Sequence, residues 1–171
     1  MNIELVILDD LNKLMDIYDL ARVRMVNEGN LTQWDNREVF KTEIIDYINK
    51  KILYKVIEND EIVGYFAYIY DIEHAYDVID GKWLNQDKYI TIHKIASKYN
   101  NKGIGGFIIK YVIDRCKNEG IYNIKIDTHK NNLSMNKFLT NKGFINCGVI
   151  SLTLDFNDEY SLRNAYQLVI R

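Results

Sequence analysis

The segment from Tyr89 to Asp127 constrains the fold more than any other. "YITIHKIA" (89–96) alternates as a strand and runs into the glycine turn "NNKGIGG" (100–106). Ile104, Phe107, Ile108, Tyr111, Val112 and Cys116 then recur at helical spacing to about Gly120, and "IYNIKID" (121–127) is strand-like again. A strand, helix, strand unit of this kind requires a parallel pair with a right-handed crossover. Upstream, "ILYKVIE" and "IVGYFAYIY" flank Asn59-Asp60-Glu61 as an antiparallel hairpin. A chain that needs both pairings is expected to build a mixed α/β sheet flanked by helices.

The other elements follow the same logic. "IELVI" (3–7) is a short strand, and Asp9 or Asp10 caps a helix with Leu11, Leu14, Met15, Tyr18 and Met25 on one side. A second helix follows Asn36 with Phe40, Ile44, Tyr47 and Ile48 inward, and a later one runs from about Leu133 to Asn141 and stops at Gly143. "FINCGVISL" and "AYQLVI" are the last strands. Residues 71–88 show neither period, and a long irregular excursion of this sort is often functional.

Composition narrows the classes. The chain has 171 residues, 47% of them hydrophobic, no proline and no Ser/Gly-rich linker, so one compact domain over 1–171 is expected. With 22 Lys+Arg against 24 Asp+Glu the net charge is −2, which provides no global basic field for nucleic acid or an anionic membrane. No run approaches the about 18 apolar residues of a membrane span. "MNIELVILDD" carries acids where a signal peptide needs a basic region, so a cytoplasmic location is expected, with Cys116 and Cys147 as reduced structural thiols.

A glycine-rich turn at the mouth of a helix presents bare N–H groups, and the helix dipole adds partial positive charge; together they suit a phosphate or diphosphate. Glycine in such turns also serves conformation alone. Neither familiar nucleotide motif fits: Ile108 stands where G-x-G-x-x-G needs its third glycine, and no G-x-x-x-x-G-K-[ST] occurs.

A longer pattern does fit. "IHKIASKYNNKGIGGFIIKYVIDRCKNEGIYNIKIDTHKNNLSMNKFLTNKGF" resembles the acetyl-CoA signature of the GNAT superfamily of N-acyltransferases: [QR]-x-x-G-x-[GA] between strand and helix, then a strand, an asparagine, and a helix ending in G-F. The resemblance covers about residues 89 to 148 and implies a sheet splayed at its centre. It implies that Asn100, Asn101, Lys102, Gly103, Ile104, Gly105 and Gly106 wrap the diphosphate of coenzyme A. It also implies that the backbone of Ile95, Ala96 and Ser97 pairs with the pantetheine arm like an added strand, and that Asn132 orients the thioester. Two positions depart from the family pattern. Asn100 replaces Gln or Arg, and Leu139, beside Phe138, replaces the tyrosine that in many members protonates the departing thiolate.

Acyl transfer to an amine needs a base to remove the ammonium proton and a donor for the developing oxyanion. His93, Asp127 and His129 are the candidates, since the resemblance puts them at the split of the sheet; Asp127 pairing with Lys94 or His93 is the structural alternative. On the acceptor side, the acids of 71–88 with Tyr76 and Trp83, and Trp34 in "LTQWDN", form a candidate rim for a cationic amine; a solvated loop pinned by its aromatics is the other reading. The expected activity is acetyl transfer from acetyl-CoA to a small primary amine by direct attack, without a metal. The expected partners are the amine and coenzyme A, with a homodimer left open. A silent acetyl-CoA-binding module and an acetyltransferase of proteins or ribosomal proteins are the alternatives.

Overall fold

A computed structural model describes residues 1–70, 74–100 and 102–171. Eight strands form one sheet in the order β1-β2-β3-β5-β6-β8-β7-β4. In chain order the elements are β1 (Asn2–Leu5), α1 (Leu11–Asn27), α2 (Arg37–Asn49), β2 (Leu53–Glu58), β3 (Glu61–Ile69), β4 (Asp80–Gly81), β5 (Ile90–Ser97), α3 (Ile104–Asn118), β6 (Asn123–Thr128), α4 (Leu133–Asn141), β7 (Ile145–Ser151) and β8 (Leu162–Val169). The sheet is mixed: β5 and β6 are parallel, and every other pairing is antiparallel.

Local chemistry explains most boundaries. Asn36 caps α2 by accepting from the Val39 N–H at 3.1 Å. Asn59 and Asp60 turn the β2–β3 hairpin with φ of 50° and 62°, the left-handed pair that a two-residue turn demands. Asp10 does not cap α1 as expected. Its carboxylate instead accepts from the Ile7 N–H at 3.0 Å and holds the Lys55 ammonium at 2.7 Å, so the chain turns early and β1 ends at Leu5 rather than at residue 7.

Two apolar layers sandwich the sheet. On one face α3 and α4 bury Ile104, Ile108, Val112 and Leu139 against Phe66, Tyr68, Ile92, Ile124 and Ile126. On the other, α1 and α2 bury Leu14, Tyr18, Phe40 and Ile44 against Tyr65, Ala67 and Ala96. Beyond β6 that second face is covered by the 74–89 excursion, through Ala75, Tyr76 and Trp83.

Within the excursion, Asp80–Gly81 pairs with β7 at the edge of the sheet, which no two-residue periodicity could announce. Gly81 and Gly148 face each other so closely that a Cβ on Gly148 would lie 2.2 Å from the Asp80 carbonyl oxygen, and its φ is +136°. Gly148→Ala is expected to cost about 2 kcal/mol and to release the edge pairing, read by denaturant unfolding and by faster amide exchange in 80–82.

Candidate active site

The parallel ladder between β5 and β6 is short. Ile90↔Ile124 and Thr91↔Lys125 pair, and from His93 and Asp127 onward the two strands diverge. A bulge in β5 sharpens this divergence: the register passes from Tyr65↔Ala96 to Ala67↔His93, so Lys94 and Ile95 together stand against Phe66. Lys94 takes φ +56°, an uncommon conformation for a non-glycine residue, which throws the backbone of Ile95 toward the opening.

Two cavities meet in this opening. One, of about 820 Å³, runs along the end of β5 and the mouth of α3 and is lined by Ser97, Asn100, Lys102, Gly103, Gly105 and Gly106 among others. The other, of about 450 Å³, is enclosed by α2, the α1–α2 loop and the C-terminal ends of β5 and β6. Met25, Ile95, Asn132 and Met135 line both.

The larger cavity ends at the open mouth of α3. Gly103 caps α3 with φ +76° and no side chain satisfies the first turn, in which Phe107 N–H is the first to find a helical acceptor, on Gly103. The N–H groups of Ile104, Gly105 and Gly106 therefore face the groove without an acceptor among the described residues, at the positive end of the helix dipole. Lys142 adds an ammonium there that the sequence reading missed: a Cβ on Gly106 would lie 3.0 Å from its Nζ. Asn101, expected in the same cradle, lies outside the described residues. Ile104 and Ala96 are buried and Ile95 is half-buried, so each offers backbone rather than a polar side chain. The Ser97 carbonyl, by contrast, accepts from the Arg24 guanidinium of α1.

The smaller cavity is polar where the strands part. His93 Nε2 lies 3.6 Å from Asp127 Oδ1, and the same oxygen accepts from the Tyr76 hydroxyl at 2.7 Å. Tyr76 thus braces Asp127 from beneath rather than forming a rim. Trp83 is also away from the cavity: it is 5% exposed, and its indole N–H donates to the Tyr76 carbonyl. The excursion folds back because burying these rings outweighs leaving them as a solvent-facing rim. Asp71 and Glu73, two of its acids, lie outside the described residues.

His129, a candidate base in sequence, lines neither cavity. It is 5% exposed, and its Nδ1 accepts from the Asn131 N–H at 3.1 Å, which makes it a brace of the β6–α4 loop. Burial, reinforced by Arg163 and Lys130, lowers its pKa and keeps the ring neutral. Lys94, one alternative partner for Asp127, pairs with Glu43 and lies over the Phe40 ring, 4.7 Å from its centroid. Leu139 is 0% exposed in the core, and its neighbour Phe138 lines the groove with Ser134, Met135 and Asn141 of the same helix.

The α1–α2 loop closes the junction. Trp34 holds φ +60° with its carbonyl on the Tyr18 hydroxyl and its ring tilted against Phe40 at 54°, and it lines the smaller cavity. Gln33 accepts from Asn132 Nδ2 at 3.2 Å, the Gly29 carbonyl accepts from Asn131, and Glu28 accepts from Ser134. Asn132 in turn caps α4 by accepting from Met135 N–H.

Behind Asp127 on β6, Lys125 is 3% exposed, its ammonium 4.1 Å from the Trp83 ring centroid and 3.9 Å from that of Tyr89. Burial lowers its pKa from 10.5 to about 8. The folded state therefore binds this proton less well than the unfolded chain, and the penalty is complete below pH 8 and fades as the pH approaches 10.5. Lys125→Met is expected to stabilise the fold by about 2 kcal/mol at pH 7 and by progressively less toward pH 10, measured by denaturant unfolding at both.

The model of the acetyltransferase (GNAT) family matches residues 13–144. The chain belongs to the acetyltransferase (GNAT) family. It is an acetyl-CoA-dependent N-acyltransferase, as family membership supports. A GNAT-family acetyltransferase from Streptococcus agalactiae 2603 superposes with a TM-score of 0.86 at 27% identity, covering 99% of this chain and 95% of that one. A ribosomal-protein-alanine N-acetyltransferase from Brucella melitensis shares the fold at 15% identity and TM-score 0.62, covering 99% and 100%. An aminoglycoside 6'-acetyltransferase type Ii does so at 17% and 0.63, covering 100% and 98%. No curated protein matches the chain. This GNAT fold is thus shared by proteins named for very different acceptors. Among the described residues no helix is long and apolar enough to cross a membrane.

Proposed function

We propose that this transferase acetylates the primary amine of a small acceptor bound in the 450 Å³ cavity, by direct attack on the acetyl group of acetyl-CoA held in the 820 Å³ groove. The observation that carries the reading is the junction: Ile95 and Asn132 belong to both cavities, beside His93 and Asp127. The residues of the groove fit the cosubstrate. The free N–H groups of Ile104, Gly105 and Gly106 suit its diphosphate, with Lys102 and Lys142 adding charge. The β5 edge at Ile95 to Ser97 offers backbone to its amide-bearing arm, although Arg24 must yield the Ser97 carbonyl if that oxygen is used.

When bound, acetyl-CoA supplies an electrophilic thioester carbonyl. The protein's own residues do the rest. Asp127, held by Tyr76, receives the ammonium, and His93 beside it takes the proton. The β5 bulge frees backbone groups around Ile95 to meet developing negative charge. With Leu139 in the core, no phenol at that position assists the leaving thiolate, the one observation that favours a silent binding module instead.

The closed α1–α2 loop favours a small acceptor over a folded protein, because Gln33 and Trp34 of the loop line the cavity and Gln33 accepts from Asn132 across it. Calorimetry with acetyl-CoA, and thiol release against a panel of primary amines in the same preparation, test the reading. Saturable binding with amine-dependent release is expected. Binding without release from any amine would favour the silent module, and release only with an intact protein would favour the macromolecular acceptor.

A further inference from the structure

Arg163 is the least explained charge in the acceptor cavity. It projects from β8 into the cavity lining and is only 9% exposed. Its Nη1 donates to the carbonyls of Tyr160 and Leu162, both at 2.8 Å, and among the described residues no acceptor meets Nε or Nη2 and no carboxylate lies within ion-pair distance. Burial accordingly depresses its pKa, with Asp127 and Asp158 acting only at longer range to oppose the shift. Burying a guanidinium without a paired anion is costly, and the planar fork of donors that remains matches a carboxylate in bidentate geometry. The other cation of the cavity is already committed, since Lys94 pairs with Glu43.

Register fixes where that fork stands relative to the amine site. In the unbroken β6–β8 ladder Asp127 lies opposite Ala165, so Asp127 and Arg163 project from the same face as diagonal neighbours, with backbones about 7–8 Å apart. A ligand whose amine and carboxylate are separated by one or a few carbons spans such a gap with one hydrogen-bonded contact at each end. An amine without a carboxylate leaves the guanidinium buried and unpaired.

We propose that the acceptor is a small amino carboxylate, with its carboxylate on the Arg163 guanidinium and its amine against Asp127 and His93. This rests on the transferase reading above and adds the substrate class. It replaces the cationic acceptor expected from residues 71–88, whose aromatics are packed away from the cavity.

The test compares matched pairs in the thiol-release assay: phenylalanine with phenethylamine, lysine with cadaverine, alanine with ethylamine, and each amino acid with its carboxamide. At least one amino acid is expected to exceed its decarboxylated and amide partners by 10- to 100-fold in kcat/KM, as loss of a charge-assisted bidentate contact predicts. Arg163→Gln is expected to raise KM for that amino acid by a similar factor with kcat within a few-fold, and so to abolish its advantage over the plain amine and the carboxamide. The carboxamide comparison uses the unaltered protein, so the result stands even where the variant folds poorly. Equal or better turnover of the plain amines overturns the assignment while leaving the transferase intact. Acetyl-CoA binding with no turnover of any amine overturns the transferase reading and the acceptor class with it.

Discussion

Asp127→Asn is expected to lower kcat by about 10³ with little change in acetyl-CoA affinity or in thermal stability. Asparagine keeps the shape of the side chain, and its amide oxygen still accepts the Tyr76 hydroxyl, so the support beneath the site survives. The negative charge 3.6 Å from His93 Nε2 is what disappears. In the proposed reaction that charge holds the acceptor's ammonium and balances the positive charge that passes to the imidazole as the proton moves. His93→Ala is expected to cost about 10², and the double variant no more than the worse single one, since the two residues act on one proton. The deficit of either variant should shrink as pH rises, because the amine then reaches the cavity already deprotonated. A double variant as poor as the product of the two single losses, with an unaltered pH profile, would separate the pair and move the proton transfer to water.

Gly105→Arg is expected to weaken acetyl-CoA binding by about 100-fold or more in calorimetry. The first Cβ already presses on the Phe138 ring at 3.0 Å, and the rest of the side chain has only the groove in front of α3 to occupy. Phe138 sits at the groove wall and can move aside, so a modest loss of stability is expected alongside the loss of affinity. Lys102→Ala is the milder companion: an exposed point charge near the cradle should change affinity only a few-fold, and less at high salt. A folded Gly105→Arg protein with unchanged affinity would show that the diphosphate does not lie on the α3 N-terminus.

The proposed cofactor half of the site could be traced along the chain because it is local. Glycine turn, helix mouth and following strand are consecutive, and the free N–H groups of Ile104 to Gly106 follow from backbone conformation near one capping residue. Asn132 was legible for the same reason, as the cap of the next helix. His93 and Asp127 were reachable as strand ends facing one split. His129 was not separable from them, because whether a loop histidine points in or braces its own loop depends on a contact to Asn131 that spacing does not encode. Tyr76 and Trp83 misled for the opposite reason: an aperiodic segment with acids and aromatics looks like a rim until the sheet face it covers is known.

The acceptor half is assembled from parts far apart in the chain. Glu43 comes from α2, Lys94 from a bulge in β5, Asp127 from β6 and Arg163 from β8. Arg163 carried one weak signal, a lone cation alternating with Ala165 and Gln167 along the inward face of the last strand. By itself the sequence determined the elements, their parallel crossover and the glycine turn at the mouth of α3, because short-range periodicity and backbone chemistry decide those. The tertiary structure alone decided which charges face one another, because the register of β8 on β6 and the closure of the α1–α2 loop onto Asn132 are set by packing between segments distant in the chain, Gln33 and Asn132 being 99 residues apart.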